Sequence, residues 1–340
     1  MPTRQKIKFG IVGLGRLGKR HAENIAFKVP GVELLAACSI CASEIKYAQE
    51  SLDVKNVYSN YDEMLLNKEL DAIFVASSSN VHCEQIEKAL NAGLHVFTEK
   101  PLGVNTEETL RVKEAVDAHP DQVFMLGFMR RSDKSYSHAK KMIDEGKIGK
   151  PFLVRCYGLD PDSQALNVIP FLKTSGGLFI DMSTHDADLA RWFLGKEAVS
   201  AYAVGGCYKY PQYADEGDID NGVAIINFED NMICMLYVGR TAPNGYQVET
   251  EIVGTEGTLR IAAIPEKNDI TIYDKTGALR ECSQNFLERF EDAFVREVAE
   301  FVKCINKGTK PSVNVNDGIQ ATKIAEACQK AYETGTIVNI

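Results

Sequence analysis

No stretch of this sequence approaches the roughly 20 consecutive apolar residues that a helix needs to cross a bilayer. Its first segment, MPTRQKIKFGIVG, has no long apolar run before the first glycine turn, so neither a membrane span nor a secretory leader is expected. A surplus of basic charge is also missing. Thirty-eight lysines and arginines face 47 acidic residues, a net charge of −9, which argues against a nucleic-acid binder or a protein of anionic membrane surfaces. Nine cysteines are scattered from Cys38 to Cys328, and the single C-x-x-C spacing, Cys38 to Cys41, lacks the second close pair of a zinc site. The histidines at 21, 82, 95, 119, 138 and 185 form no ligand cluster either, so no metal is expected. Reduced, mostly buried thiols and a cytoplasmic location are the expectation.

What is present is enough hydrophobic residue, 45% of 340, for two domains. The first part alternates short apolar runs with helical segments: IKFGIVG, VELLAACS, LDAIFVASS, LHVFTEK and QVFMLGF are separated by stretches such as ASEIKYAQESL and HCEQIEKALNAG. Continuous apolar strands between helices imply an α/β fold with a doubly wound parallel sheet, over residues 1–128. From 129 to 340 the pattern becomes that of an α+β domain. Successive strand-like runs, among them NGVAIINF, NMICMLYVG and YQVETEIVG, are separated by short turns and predict a large, mostly antiparallel open sheet.

Gly13-Leu14-Gly15-Arg16-Leu17-Gly18 fits G-x-G-x-x-G between a predicted strand and a predicted helix, the context in which the motif signals dinucleotide binding. The acid that usually follows the second strand and bonds the adenosine ribose is missing. Cys38-Ser39-Ile40 stands there, and Glu44 lies several residues into the next helix. Ser39 could bond the ribose of NAD, or Arg16 and Lys46 could approach the phosphate of NADP, so either cofactor is expected. The segment ASSSNVH places Ser77, Ser78, Asn80 and His82 after a sheet strand, on the ligand side. TEKPLG sets Glu99 and Lys100 at the end of another, and Pro101 restricts the backbone at Lys100. Arg130 and Arg131 follow the last strand of this half. In GGLFIDMSTHDADLARWF, helical spacing sets Asp181, His185, Asp188 and Trp192 on one strip beside an apolar stripe of Met182, Leu189 and Phe193. That suits either a proton-transfer pair or a structural hydrogen bond.

These pieces, with GFMRRSD, GKIGKP, VETEIVGTEGTL and DGIQATKIAEA, occur in an order that resembles the Gfo/Idh/MocA family of nicotinamide-dependent oxidoreductases, and most of all its inositol 2-dehydrogenases. The resemblance implies that Lys100, Asp181 and His185 are catalytic. It implies that the glycine loop, Ser39, Ser77, Ser78, Asn80, His82, Glu99 and Lys100 bind the cofactor, and that Arg130, Asp160 and Tyr246 join the catalytic residues around the substrate. Gly158 and Asp160 stand where myo-inositol enzymes tend to carry histidine and asparagine. The implied reaction oxidises a ring hydroxyl of myo- or scyllo-inositol to an inosose. His185 takes the proton, and a histidine's ordinary pKa near ~6.5 suits that task. Another cyclic sugar, or a dinucleotide-binding sensor without turnover, is the alternative. A homotetramer is implied as well.

Overall fold

The computed structural model describes residues 6–340. Residues up to Ser132 form one compact unit together with Asp292–Ile319, and Asp133–Glu291 form a second with Gln320–Ile340. Among the described residues no helix is long and apolar enough to cross a membrane.

The first unit holds six parallel strands: β1 (Ile7–Val12), β2 (Val32–Cys38), β3 (Asn56–Tyr58), β4 (Ala72–Val75), β5 (His95–Glu99) and β6 (Phe124–Gly127). Their order is β3-β2-β1-β4-β5-β6. This is the doubly wound arrangement, and the direction of winding reverses between β1 and β4, where such sheets bind ligands. Strands β4 and β6 are buried at every residue, as strands covered on both faces must be. Between β5 and β6 runs the helix Thr106–Ala118, which periodicity does not mark. It buries only Thr109 and Val112, and it starts because the Asn105 side chain accepts the Glu108 N–H.

One late helix belongs to this unit. Glu291–Lys307 lays Phe301 against Phe9 and Phe97, with ring centroids 6.0 and 5.6 Å apart. Each such buried ring contributes about 1.5–3 kcal/mol, enough to bring a distant segment back to the sheet.

The second unit is built on β7 (Pro151–Pro161), β8 (Ala198–Gly206), β9 (Asn221–Phe228), β10 (Ile233–Ala242), β11 (Gln247–Gly254) and β12 (Thr258–Ile261). A two-stranded ribbon, β13 (Glu266–Asp274) with β14 (Gly277–Cys282), follows, and a last short strand is β15 (Val338–Asn339). The main sheet runs β12-β11-β7-β10-β9-β8-β15 and is antiparallel except at β7–β10. The parallel pair arises because β7 leaves the sheet into a long helical excursion, so no hairpin dictates its direction. The β9–β10 turn uses Asp230 and Asn231 at φ 57° and 58°, a left-handed pair suited to a tight hairpin. Strand β9 alternates: Ala224, Ile226 and Phe228 are buried, while Val223 and Ile225 are exposed.

Candidate active site

Three glycines of the loop after β1 do three different things. Gly13 sits at φ 86°, and a Cβ there would lie 2.5 Å from the Ser77 backbone, so the loops after β1 and β4 touch. A Cβ on Gly18 would meet the Gly13 carbonyl oxygen at 2.0 Å, which locks the helix Arg16–Glu23 against its own loop. A Cβ on Gly15 would meet nothing within 4 Å beyond its chain neighbours. That helix has no acidic residue in its first turn, and no side chain caps its first amides. Uncapped amides beside open space, at the positive end of a helix, fit the pyrophosphate of a dinucleotide. Leu14 is buried below the loop, Leu17 is half-buried and Arg16 is exposed.

Ser39, at the end of β2, is 6% exposed. Its Oγ donates to Oε2 of Glu44 at 2.6 Å and accepts the Cys41 N–H at 3.0 Å. On the next loop Ser77 Oγ donates to Gln85 Oε1 at 2.5 Å, while Ser78 and Asn80 are exposed. His82 is buried between two loops: its Nδ1 lies 2.9 Å from the Pro101 carbonyl oxygen and its Nε2 3.0 Å from that of Ser77. It therefore ties the loop after β4 to the turn that carries Lys100. Burial pushes His82 below the ordinary histidine range, although the facing carbonyls and Glu99 oppose the shift.

Lys100 is half-buried, and its peptide bond to Pro101 is cis. The residue before it is fixed from below. Glu99 Oε1 lies 2.6 Å from His21 Nε2, and its Oε2 accepts the Lys100 N–H at 3.1 Å. Glu297, on the helix Glu291–Lys307, brings a carboxylate oxygen within 4.8 Å of both groups. Phe74 and Phe294 pack on His21 at 4.2 and 5.3 Å. Enclosed in this way, Glu297 finds no hydrogen-bond acceptor or donor of its own, and burial followed by the nearby Glu99 raises its pKa well above the ordinary range. Of the two arginines after β6, Arg131 is structural: it bonds the Ser312 carbonyl at 3.1 Å and Asp317 at 3.0 Å. Arg130 is buried in the same turn.

In the second unit the Asp181/His185 segment is two helices, Leu178–Met182 and Thr184–Leu194, joined at Ser183. Asp218 accepts the Leu178 and Ile219 N–H groups, each at 2.9 Å, and so anchors the first of them. His185 and Asp188 are buried with Leu189 and Phe193, whereas Asp181, Met182 and Trp192 are half-buried. Asp181 does not stand alone. Arg240, buried on β10, donates from Nη2 to Asp181 at 2.6 Å and from Nη1 to Asp160, on β7, at 3.3 Å. Burial opposes the charge on Arg240, but Asp181 and Asp160 outweigh it and raise its pKa. Two acids that the sequence nominates separately are thus one ion-paired group. Gly158 is required beside them, since a Cβ there would come within 2.5 Å of Asp186 Oδ2. Tyr246 is buried, its ring 6.4 and 6.3 Å from Phe286 and Phe290.

Sequence reading passes over Arg240, Glu297 and His21. Arg240 sits in an ordinary strand, RTA after YVG, and nothing nearby in sequence marks it as the partner of acids 59 and 80 residues away. An acid at position 297, among Phe294, Val298 and Phe301 on one helix face, is the one available signal of a buried carboxyl.

Residues 7–128 match the oxidoreductase family's NAD-binding Rossmann fold, and residues 140–340 match the C-terminal alpha/beta domain of the same family, Gfo/Idh/MocA. Among solved structures, the scyllo-inositol dehydrogenase of Lactobacillus casei with bound cofactor NAD(H) and scyllo-inositol is 45% identical, with a TM-score of 0.96 over 98% of this chain and 99% of that one. The myo-inositol 2-dehydrogenase of Lactobacillus plantarum is 42% identical, with a TM-score of 0.96 over 99% and 100%. A scyllo-inositol 2-dehydrogenase (NAD(+)) of Bacillus subtilis is 30% identical over 98% of this chain and 96% of its own length. With both halves matched, and a glycine loop shaped for a dinucleotide, the chain belongs to the Gfo/Idh/MocA family and is an NAD-dependent oxidoreductase.

Proposed function

We propose that this enzyme oxidises one ring hydroxyl of scyllo- or myo-inositol to the corresponding inosose. The observation that carries the reading is the full-length likeness, above 40% identity, to two dehydrogenases named for these two isomers. The chemistry of the second unit agrees with it. Asp160 and Asp181, paired with Arg240, are acceptors for a ligand that presents hydroxyl groups on every carbon.

Bound NAD supplies the hydride acceptor at nicotinamide C4. The chain's own residues handle the proton and the charge. His185 accepts the hydroxyl proton as general base. Lys100 donates to the oxygen as it gains negative charge, on a backbone steadied by Glu99. Asp181, its charge matched by Arg240, orients the substrate hydroxyls and His185 and does not itself take the proton.

The test crosses NAD and NADP with myo-inositol, scyllo-inositol, D-chiro-inositol, glucose and xylose, following reduced nicotinamide. A dominant rate with one inositol and NAD is expected. His185→Ala should lower kcat by about 10²–10⁴-fold while NADH still binds. A silent inositol row, or a His185→Ala enzyme with normal turnover, would remove this reading.

A further inference from the structure

Position 39 raises a question that the family assignment leaves open. Dinucleotide-binding sheets usually end β2 in an acid that receives the ribose hydroxyls, and here the residue is a serine. A hydroxyl has a single proton to give. Ser39 gives its proton to Glu44 at 2.6 Å and already accepts from Cys41, so it has no donor left for a ribose. What the serine does offer is an anchor. It draws the Glu44 side chain, from the first turn of the helix Ala42–Leu52, back to the end of β2. The same strand end adjoins the phosphate loop, because the Gly13 N–H donates to the Cys38 carbonyl at 2.9 Å.

We propose that Glu44, held by Ser39, is the ribose-recognising acid of this chain and sets its preference for NAD over NADP. The proposal rests on the assigned NAD-binding role of the first unit and is independent of which polyol is oxidised. One oxygen of Glu44 takes the serine proton, and the remaining lone pairs are free to accept from the vicinal ribose hydroxyls. A 2′-phosphate brought to the same place would meet a like charge. Of its neighbours, Ile40, next in the chain, is 98% exposed and apolar, and Lys46 lies 3.7 Å from Glu50. The separation of anchor and acid also explains why motif spacing fails here. The carboxylate arrives from five residues downstream, in a helix, where a strand-end pattern does not look.

The experiment is a fluorescence titration of wild type, Glu44→Gln and Ser39→Ala with NADH and with NADPH, no polyol present, alongside thermal melts to confirm folding. Glu44→Gln should weaken NADH by about tenfold or more, since hydrogen bonds to a charged acceptor are the strong ones, and leave NADPH unchanged or tighter. Ser39→Ala, which keeps the acid but loses its anchor, should fall between the two. A folded Glu44→Gln protein with the wild-type ratio of NADH to NADPH affinity would overturn the proposal. Wild type that binds neither dinucleotide would overturn it together with the role of the glycine loop, whereas a failed polyol screen with these affinities as expected would remove only the substrate reading.

Discussion

In the first unit Glu99 and Glu297 meet out of reach of water, beside His21 and under phenylalanine rings. In the second, Asp160 and Asp181 meet on the guanidinium of Arg240, and both keep partial access to solvent, at 30% and 38% of their side chains. Two neighbouring carboxylates cannot both stay charged without help. In the first pair burial pushes Glu297 toward its protonated form, and in the second a guanidinium lies between the acids. The choice follows burial. Deep in a low-dielectric core a proton neutralises the acid at once, whereas ions there would each need to be desolvated. At the half-buried site the acids are paired with Arg240 and remain usable as acceptors for a ligand. Burial thus turns one pair into support for the Lys100 backbone and leaves the other as chemistry.

The strongest way to break this comparison is to remove the guanidinium. Arg240→Met would leave two acids facing each other above an apolar side chain. A loss of about 3 kcal/mol is expected, at the low end for breaking a buried pair because Asp160 and Asp181 reach water. Urea melts measure it directly, and a variant as stable as wild type would mean that the ion pair contributes nothing to the second unit.

Replacing the proton sharpens the other half. Glu297→Gln keeps the shape and removes the ionisation. In wild type the folded-state pKa of Glu297 is raised, so the stability it allows is fully present below the unfolded value and is lost as pH rises toward the folded one. Glu297→Gln should therefore melt close to wild type near pH ~5 and gain on it steadily through pH ~8. A difference in melting temperature that stays flat with pH would show that Glu297 is charged in the fold after all.

The smallest effect concerns the strap between the loops. Burial lowers the His82 pKa in the fold, so the unfolded chain binds more protons and stability falls as pH drops below about 6.5. His82→Gln should lose about 1 kcal/mol, the worth of a hydrogen bond, and flatten that acid limb. An unchanged acid limb in His82→Gln would assign the pH dependence to other groups.

Much of the first unit is legible in the order of its residues, because parallel strands buried on both faces are written as unbroken apolar runs and its phosphate loop is local in sequence. The helix Thr106–Ala118 is not, since it buries only two residues and has no apolar stripe to detect. The ribbon β13–β14 escapes for a related reason: none of its residues is buried, so no alternation of buried and exposed positions marks it. In the candidate site, Lys100 and the Asp181/His185 pair are visible as motifs, while their supports are not. His21 lies 78 residues from Glu99, and Arg240 lies 59 from Asp181.

From its residues alone, the chain determines its fold class, its dinucleotide loop and the short motifs that carry reactive side chains, because each of these depends on neighbours within a few turns of chain. What tertiary packing decided is the burial and the company of those side chains: which acid is enclosed without a partner, which is held on an arginine, and that Ser39 bonds Glu44. Burial and ion pairing are sums over groups that meet only after folding, and no spacing along the chain encodes the dielectric in which they meet.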